Sequence, residues 1–171
     1  MKRTVVIFGL ISGAVSAVMM VATLPFINQL GFDKGAIIGY TTLVLSALVI
    51  FFGVRSYRDN VAGGLITFGR AFGVGLLIAL ISAACYVATW EIIYFKVMPD
   101  FGDKYGAHMI ERVKASGAGP EKVAQTQREA AQLKEMFDNP LTNAAMTVME
   151  PLPIGLAVSL ISAAILRRRV G

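Results

Sequence analysis

Four long runs of apolar residues, separated by clusters of charged residues, organise this chain. They extend over residues 4–27, 35–54, 70–95 and 141–166. Each has about the 20 residues that an α-helix needs to cross a hydrocarbon core of about 30 Å. The first run lacks any charge between Arg3 and Asp33 and exceeds the apolar part of a signal peptide, so we predict a retained span. The pattern predicts an all-α, polytopic membrane protein with four transmembrane helices in a single membrane domain, residues 1–171.

The fourth run differs from the others because Glu150 and two prolines, Pro151 and Pro153, interrupt it. A helix beginning at Pro153 would have 14 residues before Arg167, a length of about 21 Å, which is too short to cross the core. A helix from Leu141 would have 26 residues and a length of about 39 Å. We therefore expect one longer helix with a kink, since proline lacks the N–H that a helix interior uses.

The polar segment over residues 96–140 predicts two further helices. Residues 103–115 and 120–137 both have helical patterns, and the breaker Ser116-Gly117-Ala118-Gly119 separates them. In the second segment apolar residues recur at helical spacing, as at Val123, Ala130, Leu133 and Phe137. We expect an extracytoplasmic helical hairpin between the third and fourth spans. It is either a solvated connector packed on the bundle or a functional element, namely a docking surface or a lid.

Composition and charge agree with a membrane location. Of 171 residues, 56% are hydrophobic and 16% are charged, against about 45–50% and about 25% in soluble domains, which excludes an ordinary soluble enzyme. The net charge of +5 comes from basic residues next to the membrane ends: Lys2, Arg3, Arg55, Arg58, Arg70, Arg167, Arg168 and Arg169. Since basic residues accumulate on the cytoplasmic side, we expect both termini there. This placement argues against binding to nucleic acid.

The residue types that usually perform chemistry are scarce. The chain has one cysteine, Cys85, and one histidine, His108, which excludes a disulfide, a CxxC pair and a His-rich metal cage. Gly63-Gly64 lacks the surrounding pattern of a nucleotide-binding loop. We therefore expect no catalytic, cofactor-binding or metal-binding residues, no cofactor, and a protein that is not an enzyme.

Two side chains in the interior of the apolar runs, away from their ends, are formally charged: Glu91 and Glu150. An ionisable group inside a membrane marks a candidate functional site, here for an ion or a proton. Glu91 lies among aromatic residues typical of the membrane interface, where a carboxylate can reach water without any further role. Glu150 adjoins the expected kink at Pro151 and Pro153, where a carboxylate and freed carbonyls could bind a cation. The alternative is a structural glutamate that hydrogen-bonds to a neighbouring helix.

The turn between the second and third runs holds four charged residues: Arg55, Arg58, Asp59 and Arg70. Each basic residue near a membrane surface adds about 1 kcal/mol of attraction to anionic lipid. We expect these residues to contact lipid headgroups or a partner protein. A pair between Asp59 and an arginine that organises the turn is the alternative.

Small residues recur at a spacing that lets helices approach closely. The pairs are Gly9 with Gly13, Gly69 with Gly73, and the series Ala71, Gly75, Ala79 and Gly155, Ser159, Ala163. We expect them to pack helices within one chain rather than to form a dimer.

The chain resembles the domain of unknown function 4199 family of small bacterial membrane proteins. The resemblance rests on Arg55-Ser56-Tyr57-Arg58-Asp59, on Gly63 to Phe72 with Gly75-Leu76, and on Asn139-Pro140-Leu141 with Glu150 to Leu156. It covers nearly the whole chain and implies an uncharacterised four-helix protein of the bacterial inner membrane. It supplies no catalytic residue.

Two classes of function agree with these observations. The first is a non-enzymatic accessory protein that interacts with the bilayer and with a protein partner or a second copy of itself, and it is the one the sequence favours. The second is a small ion- or proton-coupled transporter or channel that uses Glu150.

Overall fold

The structure is a computed structural model that describes residues 1–168, except for the side chains of Ile27 and Asn28. Arg169, one of the predicted basic residues, lies outside the described residues. Over that range the fold is all-helical. Its helices are α1 (Lys2–Thr23), α2 (Ile27–Asn60), α3 (Phe68–Ile92), α4 (Phe101–Ala115), α5 (Pro120–Asp138), α6 (Pro140–Val148) and α7 (Pro151–Leu166).

Four stretches among the described residues are long and apolar enough to cross a membrane. They are Lys2–Phe26, Gln29–Asn60, Phe68–Val97 and Pro140–Leu166. Only 22–39% of the most apolar part of each stretch is buried inside the protein. The remaining apolar surface needs a lipid environment, because exposing it to water would be unfavourable. The predicted all-α fold with four helical stretches long and apolar enough to span a membrane is confirmed, which indicates a multi-pass membrane protein.

The second span extends further at both ends than the apolar pattern predicts. Arg55, Arg58 and Asp59 lie in the last turns of α2, whereas the sequence placed them in a turn. At the other end, Asp33 is already helical, and the chain direction changes at Gly31, which has a φ of 70°. Charged residues end an apolar run, but they do not end a helix whose backbone hydrogen bonds continue.

The fourth span is two helices rather than one bent helix. α6 ends at Val148 and α7 begins at Pro151, so that Met149 and Glu150 form a turn between them. Pro151 and Pro153 therefore occupy the first turn of α7, where the backbone N–H groups have no partner within the helix. The prolines begin a helix here, which is a more favourable position for them than the interior kink that the sequence predicted.

Residues 1–87 and 148–168 form one compact unit, called the bundle below. Within it α1 packs on α2, and α2 packs on α7. Glycines mark the closest approaches: a Cβ added at Gly13 would lie 2.5 Å from the Cβ of Cys85 on α3, and one at Gly155 would lie 2.8 Å from the Cβ of Ala79. The expected close packing through small residues therefore occurs within the chain at these positions. Gly69 and Gly73 differ, since a Cβ at either would meet nothing within 4 Å.

One half of the bundle has an apolar core, called the dry half below. Its fully buried members include Ile50, Val54, Tyr57, Val74 and Ile78, each at most 1% exposed. The segment after α7 pairs with the α2–α3 turn, because the backbones of Ile66 and Arg168 exchange two hydrogen bonds of 3.2 and 3.0 Å. These bonds hold Arg168 beside the turn that joins α2 to α3.

Residues 88–147 form a second compact unit. It contains the end of α3, a π-helical turn over Ile93–Val97, α4, α5 and α6, with α4 packed against α5. Tyr94 lies at its centre and is 2% exposed, with the rings of Phe101 and Phe137 at 6.2 and 5.9 Å. Helices were predicted at both α4 and α5, and Gly117, with a φ of 75°, ends the first of them as expected. Tyr94, one of the aromatic residues near Glu91 that the sequence assigned to the membrane interface, is instead buried in the core of this unit.

Candidate functional site

A narrow polar cleft lies inside the bundle and borders the dry half. It is lined by residues of α1, α2, α3 and α7: Ser12, Ser16, Leu43, Ser46, Ala47, Ile50, Ala79, Ser82, Tyr86, Pro151 and Gly155. The space open to the centres of water molecules is about 10 Å³, which is roughly room for a single water. This cleft, called the serine cleft below, is a site for something no larger than one water molecule.

A hydrogen-bonded group of serines joins three helices at the cleft. The hydroxyl of Ser12 donates to the carbonyl of Ser46 at 2.8 Å. The hydroxyls of Ser12 and Ser82 are 2.9 Å apart. Because the Ser12 hydrogen is already directed to a carbonyl, Ser82 must be the donor to Ser12. These bonds satisfy hydroxyls that would otherwise be costly to bury.

The other two cleft serines donate to their own helices. Ser16 donates to the carbonyl of Gly13 at 2.9 Å, and Ser46 donates to that of Leu43 at 2.9 Å. Ser16 and Ser46 are 1% and 3% exposed. Each hydroxyl therefore donates its hydrogen to the backbone, and the lone pairs of its oxygen can accept from or coordinate another group.

Glu150 meets the cleft through Tyr86. The Tyr86 hydroxyl donates a hydrogen bond of 2.7 Å to Oε2 of Glu150, and Tyr86 also lines the cleft. Glu150 is exposed and occupies the N-cap position of α7, next to Pro151. A carboxylate at this position interacts favourably with the positive end of the helix dipole. The structure thus brings together the predicted residues Glu150 and Pro151; Pro153 lies in the same helical turn but does not line the cleft.

The cleft ends at the dry half of the bundle. Ile50 and Ala79 line the cleft and are also members of the buried apolar core. Beyond them the core continues through Val54, Val74 and Ile78. A polar route through the bundle therefore stops at a tightly packed apolar layer.

The second candidate carboxylate, Glu91, is not among the residues that line the cleft and belongs to the unit of residues 88–147. Its Oε1 atom is buried and has no hydrogen-bond partner among the described residues. Its neighbour Trp90 donates to Asn143 at 3.1 Å, and Asn143 also accepts from Thr147 at 3.0 Å. The hydrogen bonds of Trp90, Asn143 and Thr147 thus do not involve the Oε1 atom of Glu91.

The predicted basic cluster is partly assembled at the end of α2. Asp59 accepts a hydrogen bond of 2.6 Å from Nε of Arg58 and lies 3.7 Å from Nε of Arg55. Arg70 is placed differently, with its guanidinium 5.7 Å from the ring centre of Tyr57. Arg58 is largely buried, whereas Arg55 and Arg70 are exposed and available to lipid. The alternative of an Asp59–arginine pair that organises this region agrees with the geometry.

Sequence reasoning missed the cleft residues Ser12, Ser16, Ser46, Ser82 and Tyr86. The available signal was weak: Ser12 and Ser16 lie four residues apart and so share one helix face. Serines that turn toward one another cannot be told from serines that only bond to their own helix until the register between helices is known. Among the described residues, no group of three or more His, Cys, Asp and Glu side chains is placed to hold a metal.

Comparison with known proteins identifies the family. Residues 7–168 match the family described as "Protein of unknown function (DUF4199)", and the chain therefore belongs to it. This confirms the resemblance seen in the sequence. No curated protein and no solved structure gives a significant match.

Proposed function

We propose that this protein, a member of a family without an assigned activity, is a small ion- or proton-coupled membrane protein that uses the serine cleft. The observation that carries the proposal is the hydrogen bond between Tyr86 and Glu150 beside a polar cleft inside an apolar bundle. Polar and ionisable groups in a membrane span are costly, so their assembly at one place is a sign of function. A carboxylate next to hydroxyl oxygens can bind a cation or exchange a proton.

The dry half favours a coupled carrier over an open channel. An open channel needs a continuous polar path, whereas the cleft ends at Ile50 and Ala79. Passage of an ion would therefore require α1, α2, α3 and α7 to repack around the cleft. Small residues at the contacts, such as Gly13 and Gly155, let helix backbones slide with little side-chain obstruction.

We place the protein in the bacterial inner membrane with both termini in the cytoplasm. Basic residues at the end of α2 and the start of α3 support this orientation, including Arg55, Arg58 and Arg70. The cleft and Glu150 would then face the outer half of the membrane. The packed pair α4 and α5 would form an extracytoplasmic helical hairpin, and the exposed arginines would contact anionic lipid headgroups.

The test is ion flux through purified protein in sealed liposomes. Proton and Na⁺ flux are followed with a pH-sensitive dye and with ²²Na⁺, for the wild type, Glu150→Gln and Glu91→Gln. We expect flux that is lost in Glu150→Gln and retained in Glu91→Gln, which is a matched removal of a carboxylate outside the cleft. Equal flux in all three, or none in any, would contradict the proposal.

The second candidate is a non-enzymatic accessory protein that binds a protein partner through α4 and α5. The observation that favours it is the compact packing of these helices around Tyr94, which makes this segment a folded surface rather than a loose connector. Met136 on α5 is 44% exposed. We expect Met136→Asp to abolish site-specific crosslinking to an extracytoplasmic partner. Gln132→Asp, at another exposed residue of α5, should keep it. Crosslinking that survives both changes would argue against this surface.

Neither candidate is an enzyme. The single histidine and single cysteine support this proposal, since Cys/His chemistry needs both groups at one place. Cys85 packs against Gly13 within the bundle.

A further inference from the structure

We infer that the serine cleft binds one monovalent cation no larger than a water molecule, and that it excludes anions. This inference rests on the proposed function and names the class of ligand for its site. It follows from the hydrogen bonds that the hydroxyl groups of the cleft donate.

Every hydroxyl that lines the cleft has already donated its hydrogen. Ser12 donates to a carbonyl, and Ser82 donates to Ser12. Ser16 and Ser46 donate to carbonyls of their own helices, and Tyr86 donates to Glu150. A hydroxyl has one hydrogen and two lone pairs, so these groups present only acceptor atoms to the cleft. An anion, which needs donors, finds none among the hydroxyls that line the cleft.

The helix that opens onto the cleft has also lost donors. The first N–H groups of an α-helix are unpaired and commonly bind anions. In α7 two of these positions are Pro151 and Pro153, which have no N–H. Glu150 adds a carboxylate at the same helix end. The site that would ordinarily attract an anion is therefore depleted of donors and carries a negative charge.

The size of the cleft and the charge beside it determine which cations can bind. The space of about 10 Å³ admits an ion about as large as a water molecule, such as Na⁺, K⁺, ammonium or hydronium. Oxygen atoms are the ligands that hard cations prefer. With one carboxylate nearby, a monovalent ion balances the charge. A tetramethylammonium ion carries the same charge but is too large to enter.

The experiment measures thermal unfolding of the purified full chain in detergent micelles at constant ionic strength. Sodium, potassium and ammonium chloride are titrated against tetramethylammonium chloride, and sodium chloride is compared with sodium gluconate. A ligand that binds only the folded state raises the melting temperature in a saturable way. We expect saturable stabilisation by at least one small cation, none by tetramethylammonium, and no dependence on the anion.

Ser46→Ala and Thr41→Ala form the matched pair of variants. Both hydroxyls lie on α2 and donate to a carbonyl of their own helix, but Ser46 lines the cleft and Thr41 is exposed outside it. Loss of one ligand to a charged ion weakens affinity by about tenfold. We expect that loss in Ser46→Ala and an unchanged affinity in Thr41→Ala.

Three results would overturn the inference. The first is an identical melting temperature in all chloride salts, which is the behaviour of a cleft that holds only water. The second is a melting temperature that depends on the anion. The third is an equal cation affinity in the wild type and in Ser46→Ala. The flux assay separates the two claims: flux that depends on Glu150 without cation-specific stabilisation would overturn the inference alone. Cation-specific stabilisation without flux would overturn the transport proposal alone.

Discussion

Tyr86 on α3 donates a hydrogen bond of 2.7 Å to Glu150, which directly precedes α7 and is 64 positions away in the chain. The bond fixes the start of α7 against α3 at the place where the serine cleft begins. A helix start that contains two prolines has few backbone donors of its own, so a side chain from a neighbouring helix is well placed to hold it.

The first prediction concerns the energy of this bond. Tyr86→Phe should lower the free energy of unfolding by about 1–2 kcal/mol, since a hydrogen bond to a charged group is lost at a half-buried site. A double-mutant cycle with Glu150→Gln, measured by unfolding in mixed micelles, should show a coupling energy of at least about 0.5 kcal/mol. Strictly additive effects would mean that the two side chains do not interact. Tyr105→Phe, at an exposed tyrosine of the unit formed by residues 88–147, serves as the control.

The second prediction concerns close packing of α1 on α3. Gly13→Ala places a Cβ 2.5 Å from that of Cys85 and should cost about 1–3 kcal/mol of stability. Gly73→Ala meets nothing within 4 Å and should leave stability equal or raise it by up to about 1 kcal/mol. Both are measured by thermal unfolding. Adding Cys85→Gly to Gly13→Ala should recover part of the loss, and no recovery would place the strain elsewhere.

The third prediction concerns acid stability of the unit formed by residues 88–147. Asp138 accepts hydrogen bonds from Lys134 at 2.8 Å and from Tyr94 at 2.9 Å, and together they hold the pKa of this carboxyl below its usual value of 3.8. A lowered pKa stabilises the fold above the unfolded value, and the stabilisation is lost as the pH falls below it. The protection factors of the α5 amides, which correct for the intrinsic pH dependence of hydrogen exchange, should therefore fall below a pH of about 3.8.

Asp138→Asn is the variant that tests this pH dependence. Its α5 amides should have lower protection factors than those of the wild type at neutral pH, and these factors should change little as the pH falls. Glu135→Gln, at an exposed carboxylate of the same helix, should keep the wild-type profile. An acid response in Asp138→Asn equal to that of the wild type would assign it to another group.

The fourth prediction concerns topology. In a Cys85→Ala background, Glu121→Cys on α5 should react with a membrane-impermeant maleimide in intact cells, because α5 is proposed to lie outside the membrane. Lys2→Cys should react only after the cells are made permeable, since the N-terminus is proposed to be cytoplasmic. The reverse pattern would invert the orientation and place the cleft toward the cytoplasm.

The sequence predicted the helices well where a single strong signal determines them. The apolar runs identified all four spans, and Gly117 with Pro120 separated α4 from α5 at the observed residues. It was less accurate at α2, because charges at Arg55 and Asp59 mark the end of an apolar surface and not of a helix. Pro151 was predicted to bend a helix, and it begins one instead.

The candidate site, like the helices, could be predicted from the sequence only in part. The sequence by itself determined that the protein has four membrane-length helices, a charge bias toward one end, and two carboxylates inside the apolar runs, because length, hydropathy and charge are properties of each segment alone. Only the tertiary structure decided that Glu150 pairs with Tyr86 and that Ser12, Ser46 and Ser82 meet in one cleft. Those contacts depend on the register between helices, and register is set by the summed packing of many side chains that no single segment encodes.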